Sequence, residues 1–217
     1  MKITQHRIQN IIAILYSLYP QVKTELIHES PFQLLIATML SAQCTDKQVN
    51  SVTPRLFQKM PTAEHIASAS LSEIEEMIHS TGFFRNKARN IQNCARILVE
   101  KYQGTVPSTL EELVSLPGVG RKTANVVLSS AFGIPAMVVD THVIRISRRL
   151  GVTRENDPEK IEKDLRKWFP QENWSDLSLQ LIFLGRSLCP ARNPKCSVCP
   201  LKECCDYGTK QAKKITH

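Results

Sequence analysis

The sequence has only 8 glycines in 217 residues and contains no low-complexity tract, tandem repeat or long linker. Disorder and a repeat architecture are thereby set aside. No run approaches the ~18 apolar residues of a membrane span. No stretch alternates polar and apolar residues for long enough to specify a strand, so a sheet protein is not expected. Acidic residues are also short: 20 Asp and Glu against 28 Lys and Arg leave a formal charge of +8. That balance suits a polyanionic partner, either nucleic acid or an acidic membrane surface, although solubility alone also accounts for it.

The apolar segment from Ile11 to Tyr19, preceded by Lys2 and Arg7, resembles a secretion signal in outline. Against this, Ile8, Ile11, Leu15 and Leu18 recur at helical spacing, and no small-x-small site follows Pro20. An amphipathic helix in an intracellular protein is the expectation. Helical periodicity recurs in Phe32–Leu40, Ile91–Tyr102, Ala124–Phe132 and Val143–Leu150. Ser30-Pro31 and Pro61-Thr62 should open helices, and Gly82, Gly104, Gly133 and Gly151 should close them. Ser108 with Glu111 reads as a capping box for a helix from Thr109 to Leu116. Gly133-Ile134-Pro135 is the expected passage between two lobes. The tail from Asp206 to His217 lacks periodicity and is expected to fray.

Three motifs carry chemistry. In Leu116-Pro117-Gly118-Val119-Gly120-Arg121-Lys122-Thr123-Ala124, Pro117 stops one helix and two glycines permit a tight hairpin with positive φ. Amide groups at the start of the next helix then suit a phosphate, the design of a helix-hairpin-helix that grips DNA without reading sequence. An ordinary helical corner is the plainer alternative. Lys122 falls in the first turn of that helix beside Arg121. The helix dipole and the neighbouring cation both oppose its positive charge and so favour a nucleophilic amine. In Val138-Val139-Asp140-Thr141-His142, Asp140 reads as an N-cap and also as a candidate catalytic carboxylate, because a capping carboxylate is fixed in direction.

The chain has 7 cysteines, and Cys189, Cys196, Cys199 and Cys205 gather near one end in an x6, x2, x5 pattern. Clustering of this kind points to a metal centre rather than a disulfide scaffold. Zinc usually takes two Cys-x2-Cys pairs and only one is present, so the spacing favours a 4Fe-4S cluster without excluding zinc.

Together the LPGVGRKTA, VDTH and four-cysteine segments, with Leu40-Ser41-Ala42-Gln43-Cys44-Thr45-Asp46, closely resemble the endonuclease III family of DNA glycosylases. Cys44 departs from the smaller residue usual there, and Phe83 stands where the family usually has Leu. The resemblance implies an all-α fold of two helical lobes flanking a DNA-binding cleft. Residues 23–133 would form a helical barrel with the helix-hairpin-helix; residues 1–22 and 134–217 would form the lobe holding a 4Fe-4S cluster. It implies Lys122 as the nucleophile and Asp140 as its catalytic partner across the cleft. Gln43 and Phe83 would fill the hole left by an extruded nucleotide, and Gly118, Val119, Gly120 and Arg121 would hold the DNA backbone. Cys189, Cys196, Cys199 and Cys205 would bind the cluster. The implied activity is a bifunctional glycosylase and AP lyase, acting as a cytoplasmic, nucleoid-associated monomer on duplex DNA with damaged pyrimidines or abasic sites. The rival readings are a monofunctional adenine-type glycosylase and a non-catalytic DNA-binding protein with a structural metal centre.

Overall fold

Helices begin where a short oxygen-bearing side chain precedes an apolar-periodic run. Thr4 caps α1 (Gln5–Leu18), Ser30 caps α2 (Pro31–Leu40) and Thr45 caps α3 (Asp46–Lys59), each accepting from an amide in the first turn. The chain continues through α4 (Ala63–Ser68), α5 (Leu71–Ile78), α6 (Phe84–Tyr102), α7 (Leu110–Ser115) and α8 (Arg121–Phe132). It ends with α9 (Thr141–Leu150), α10 (Pro158–Trp168), α11 (Trp174–Ser187) and α12 (Asp206–Ile215). The computed structural model describes residues 2–215, and among the described residues there is no strand. No described helix is long and apolar enough to cross a membrane.

Two compact units result. Thr24–Ile134 forms one, and the chain before and after it forms the other. In the first, α2 is apolar nearly all round, and Leu34, Leu35, Ile36, Ala37 and Leu40 are wholly buried. A helix of that character belongs at the centre. It packs on α3, α6 and α8, which brings the turns after α2 and before α6 and α8 toward one end. In the second unit, Ile8, Ile11 and Leu15 of α1 pack into one core with Val143 and Ile146 of α9 and Leu177, Leu181 and Leu184 of α11. Burial of each such side chain contributes about 1.5–3 kcal/mol, so α1 is an integral, docked amphipathic element.

Two local expectations are corrected. The cap of α7 is Thr109, whose hydroxyl accepts from the amide of Glu112, so the helix starts one residue later than the Ser108–Glu111 pairing implied. The segment from Asp206 does not fray: Asp206–Ile215 is helical, anchored by the Arg7–Asp206 ion pair at 3.0 Å and by the Arg149 guanidinium over the Tyr207 ring. Thr216 and His217 lie outside the described residues.

Candidate functional site

The turn between α7 and α8 is tight because Gly118 takes φ 76°. A Cβ there would stand 2.7 Å from Asn90 Cβ and 3.0 Å from Met39 Cε, so α2 and α6 leave no room for a side chain. Gly120 differs from expectation. Its backbone is extended at φ −89°, and a Cβ would meet nothing within 4 Å. Its consequence is at the helix start instead, where Gly120 occupies the N-cap position and no side-chain oxygen caps α8. Such a helix end offers its first-turn amides and the positive end of its dipole to an anion. Lys122 is the second residue of α8 and is exposed.

In the same unit, Gln43 and Phe83 share an unusual backbone state. Both lie in the left-handed region, at φ 52° and φ 48°. For a bulky residue that conformation costs about 1–2 kcal/mol and persists only where the surroundings enforce it. Phe83 is 65% exposed, which removes core packing as its role. Gln43 is exposed as well. The two side chains line one small pocket of about 140 Å³ together with Asn86, Lys87, Asn90 and Gly118. The structure thus joins three residues singled out separately in the sequence: Gln43, Phe83 and Gly118.

Asp140 and the cysteines belong to the other unit. Asp140 caps α9, its Oδ1 accepting from the amides of His142 at 2.8 Å and Val143 at 2.9 Å. Both bonds fall on one oxygen, so the cap fixes the carboxylate plane and leaves Oδ2 outside it. Burial holds the adjacent His142 below its ordinary pKa, against the opposing pull of Asp140. A larger depression of about 1300 Å³, lined by Arg148, Arg154 and Lys167 among others, contains none of the candidate site residues.

Cys196, Cys199 and Cys205 all lie within electrostatic reach of Cys189. Burial pushes the thiols of Cys196, Cys199 and Cys205 up, and the charge of Cys189 pushes each further. The neighbouring Cys204 acts on none of the three. Among the described residues no three His, Cys, Asp or Glu side chains are grouped to hold a single metal ion. The donor set nevertheless fits a thiolate-bound centre. Arg149 donates from Nη1 to Cys189 Sγ at 3.1 Å, and the Gly208 amide donates to Cys205 Sγ at 3.4 Å. These are hydrogen bonds of the kind that the sulfur ligands of a cluster accept.

Two residues on which this arrangement depends were not foreseen. Arg149 also donates to the carbonyls of Pro190 and Ala191, tying the start of the cysteine loop to α9. Lys87 is buried in α6 and donates from Nζ to two main-chain carbonyls. A signal for Lys87 was present, since it falls on the stripe that continues through Ile91, Cys94 and Leu98, all wholly buried. For Arg149, one of two adjacent arginines in a helix, no such signal exists.

Residues 36–171 match the HhH-GPD superfamily of base excision DNA repair proteins. The chain is 54% identical to endonuclease III of Synechocystis sp., over 93% of this chain and 92% of the relative. It is 50% identical to endonuclease III of Bacillus subtilis, over 91% and 90% respectively. The fold superposes with a TM-score of 0.92 on a trapped endonuclease III–DNA covalent intermediate, at 48% identity, covering 97% of this chain and all of that one.

Proposed function

We infer from the endonuclease III family, to which this chain belongs within the HhH-GPD superfamily, that it is a bifunctional DNA glycosylase and AP lyase of base excision repair. The observation carrying the assignment of residues is the side-chain-uncapped start of α8, with Lys122 exposed at its second position.

The substrate is duplex DNA carrying an oxidised or damaged pyrimidine. The lesion must leave the stack before its sugar carbon can be reached. Gly118, Val119, Gly120 and Arg121 hold the backbone through the hairpin, while Gln43 and Phe83 occupy the vacated space. The Lys122 amine attacks C1′, the C1′–N bond breaks, and the base departs with the electron pair and takes up a proton. The amine loses one proton, the C1′–O4′ bond breaks with O4′ taking up a proton, and the nitrogen lone pair completes a protonated Schiff base between Nζ and C1′. Removal of a C2′ proton then expels the 3′ phosphate by β-elimination, cutting the strand. Asp140 supplies a fixed negative charge that stabilises the positive sugar in the first step and accepts a proton from the amine.

Cys189, Cys196, Cys199 and Cys205 hold a 4Fe-4S cluster, which when bound supplies a structural cross-link for the loop. Support comes from the all-thiol donor set and the N–H groups directed at two of its sulfurs. A DNA substrate implies a location in the cytoplasm, at the nucleoid.

Strand cleavage on defined duplexes tests this reading. Thymine glycol and abasic sites should be cut, whereas an A·G mismatch should be left intact. Release of adenine from the mismatch without a strand break would instead identify a monofunctional enzyme.

A further inference from the structure

Lys87 has no place in the chemistry above, yet few lysines are buried so completely: it is 7% exposed. Its Nζ donates to the carbonyl of Leu40 at 2.8 Å and to the carbonyl of Thr81 at 2.8 Å. Leu40 is the last residue of α2, and Thr81 is the last residue of a short 3-10 turn, His79–Thr81. Carbonyls at such ends lack helical partners and carry partial negative charge, so an ammonium group is their natural complement. Burial lowers the pKa of Lys87, and the two carbonyls, being dipoles already fixed in direction, replace the lost water.

The chain leaving each of these carbonyls leads directly into the pocket. Three residues after Leu40 comes Gln43, and two residues after Thr81 comes Phe83, both in the left-handed conformation and both lining the same pocket as Lys87. The Cys44 amide donates to the Ser41 carbonyl across Gln43, and the Phe83 carbonyl accepts from the amides of Asn86 and Lys87, but neither of these local bonds ties one turn to the other. Gly82 at φ 69° adds a second residue of positive φ directly before Phe83. One cation, fixed on α6, grips the chain just upstream of both.

We propose that Lys87 is a positioning residue for DNA: by bonding both carbonyls it sets the separation and direction of Gln43 and Phe83, so that the two enter the gap left by the flipped nucleotide as one rigid pair. This rests on the reading of Gln43 and Phe83 as gap-filling residues. Lys87 itself touches neither DNA nor the reacting atoms.

The prediction separates duplex from single-stranded substrate. A single strand carrying an abasic site has no stack to refill, so the Schiff-base step needs no wedge. Lys87→Met keeps the length and apolar stem but removes the charge and both donors. It should lower cleavage of a paired lesion about ten-fold or more, the scale of a lost stacking contact, while single-strand cleavage stays within about two-fold of the parent. Lys87→Gln retains amide donors and should lie between the two; if Lys87→Met does not fold, Lys87→Gln carries the same ratio test.

Phe83→Ala is the control for the underlying reading and should itself lower the duplex-to-single-strand ratio about ten-fold. In a Phe83→Ala background, Lys87→Gln should cost little more. An unchanged ratio in Phe83→Ala would sink the gap-filling role. A lowered ratio in Phe83→Ala with an unchanged ratio in both Lys87 variants would overturn the positioning role alone. Parallel loss on duplex and single strand in the Lys87 variants would make Lys87 a fold-stabilising residue and overturn it too.

Discussion

Lys122→Ala is expected to abolish both strand cleavage and the covalent DNA adduct that borohydride traps during turnover, while binding of duplex DNA is largely kept. Schiff-base chemistry needs a primary amine, and Lys122 offers one at the second position of α8, exposed, on a helix start that no side chain caps. Arg121 beside it cannot substitute, because a guanidinium stays protonated. Binding should survive because, on the proposed reading, phosphate is gripped by backbone amides and the helix dipole, which Ala leaves in place. Asp140→Asn provides the complementary case. Asn caps helices as well as Asp, so the bonds to the amides of His142 and Val143 persist and α9 stays in place. Only the negative charge is lost. Loss of a positioned charge or proton acceptor costs about 10²–10⁴-fold, so this variant should bind damaged DNA and turn over slowly. An adduct formed at the parental rate by Lys122→Ala would move the nucleophile elsewhere.

The sequence was most legible where local chemistry and tertiary packing agree. Ser30 before Pro31, Asp140 before Thr141 and the spacing of Ile8, Ile11 and Leu15 each specify the helix that forms, because the cap and the buried face select the same register. Legibility failed where several local solutions compete. Ser108-Thr109 followed by Glu111-Glu112 allows two capping registers, and the chain adopts the one starting at Thr109, with Leu113 wholly buried. It failed again where long-range contacts decide. α12 has little apolar pattern of its own and is held by Arg7 and Arg149, distant in sequence. Left-handed backbone at Gln43 and Phe83 was illegible as well, since neither residue type favours it; only the tie from Lys87 to the Leu40 carbonyl is distant in sequence, while Thr81 is six residues from that lysine.

The hairpin shows how a correct motif can hide a wrong local reason. Two glycines suggested two positive φ values, yet only Gly118 has one. Gly118 is confined by Asn90 and Met39, whereas a Cβ on Gly120 would meet nothing within 4 Å. A side chain at position 118 would collide with α2 and α6, so its replacement should disturb the fold, whereas on the proposed reading a side chain at position 120 should obstruct DNA at the start of α8.

Cys205→Ser is expected to lose the brown colour of the cluster and to unfold at markedly lower temperature, whereas the adjacent Cys204→Ser keeps both colour and stability. The two cysteines differ in what surrounds their sulfur. Cys205 feels the charges of Cys189 and Cys199, and its Sγ accepts from the Gly208 amide. Cys204 contributes its main chain instead: its carbonyl accepts from Arg7 Nε at 3.0 Å and from Nη2 at 2.9 Å. Serine leaves that carbonyl untouched, so Cys204→Ser retains the tie between α1 and the end of the loop. In Cys205→Ser the cluster would have three thiolates, and binding energy that counts as folding energy would be forfeited. The loss should spread beyond the loop, because Leu201 within it is buried in the core that α1, α9 and α11 share. Iron content, visible absorption and thermal unfolding of the two single variants decide the matter. Loss of colour in Cys204→Ser with retention in Cys205→Ser would reverse the ligand assignment.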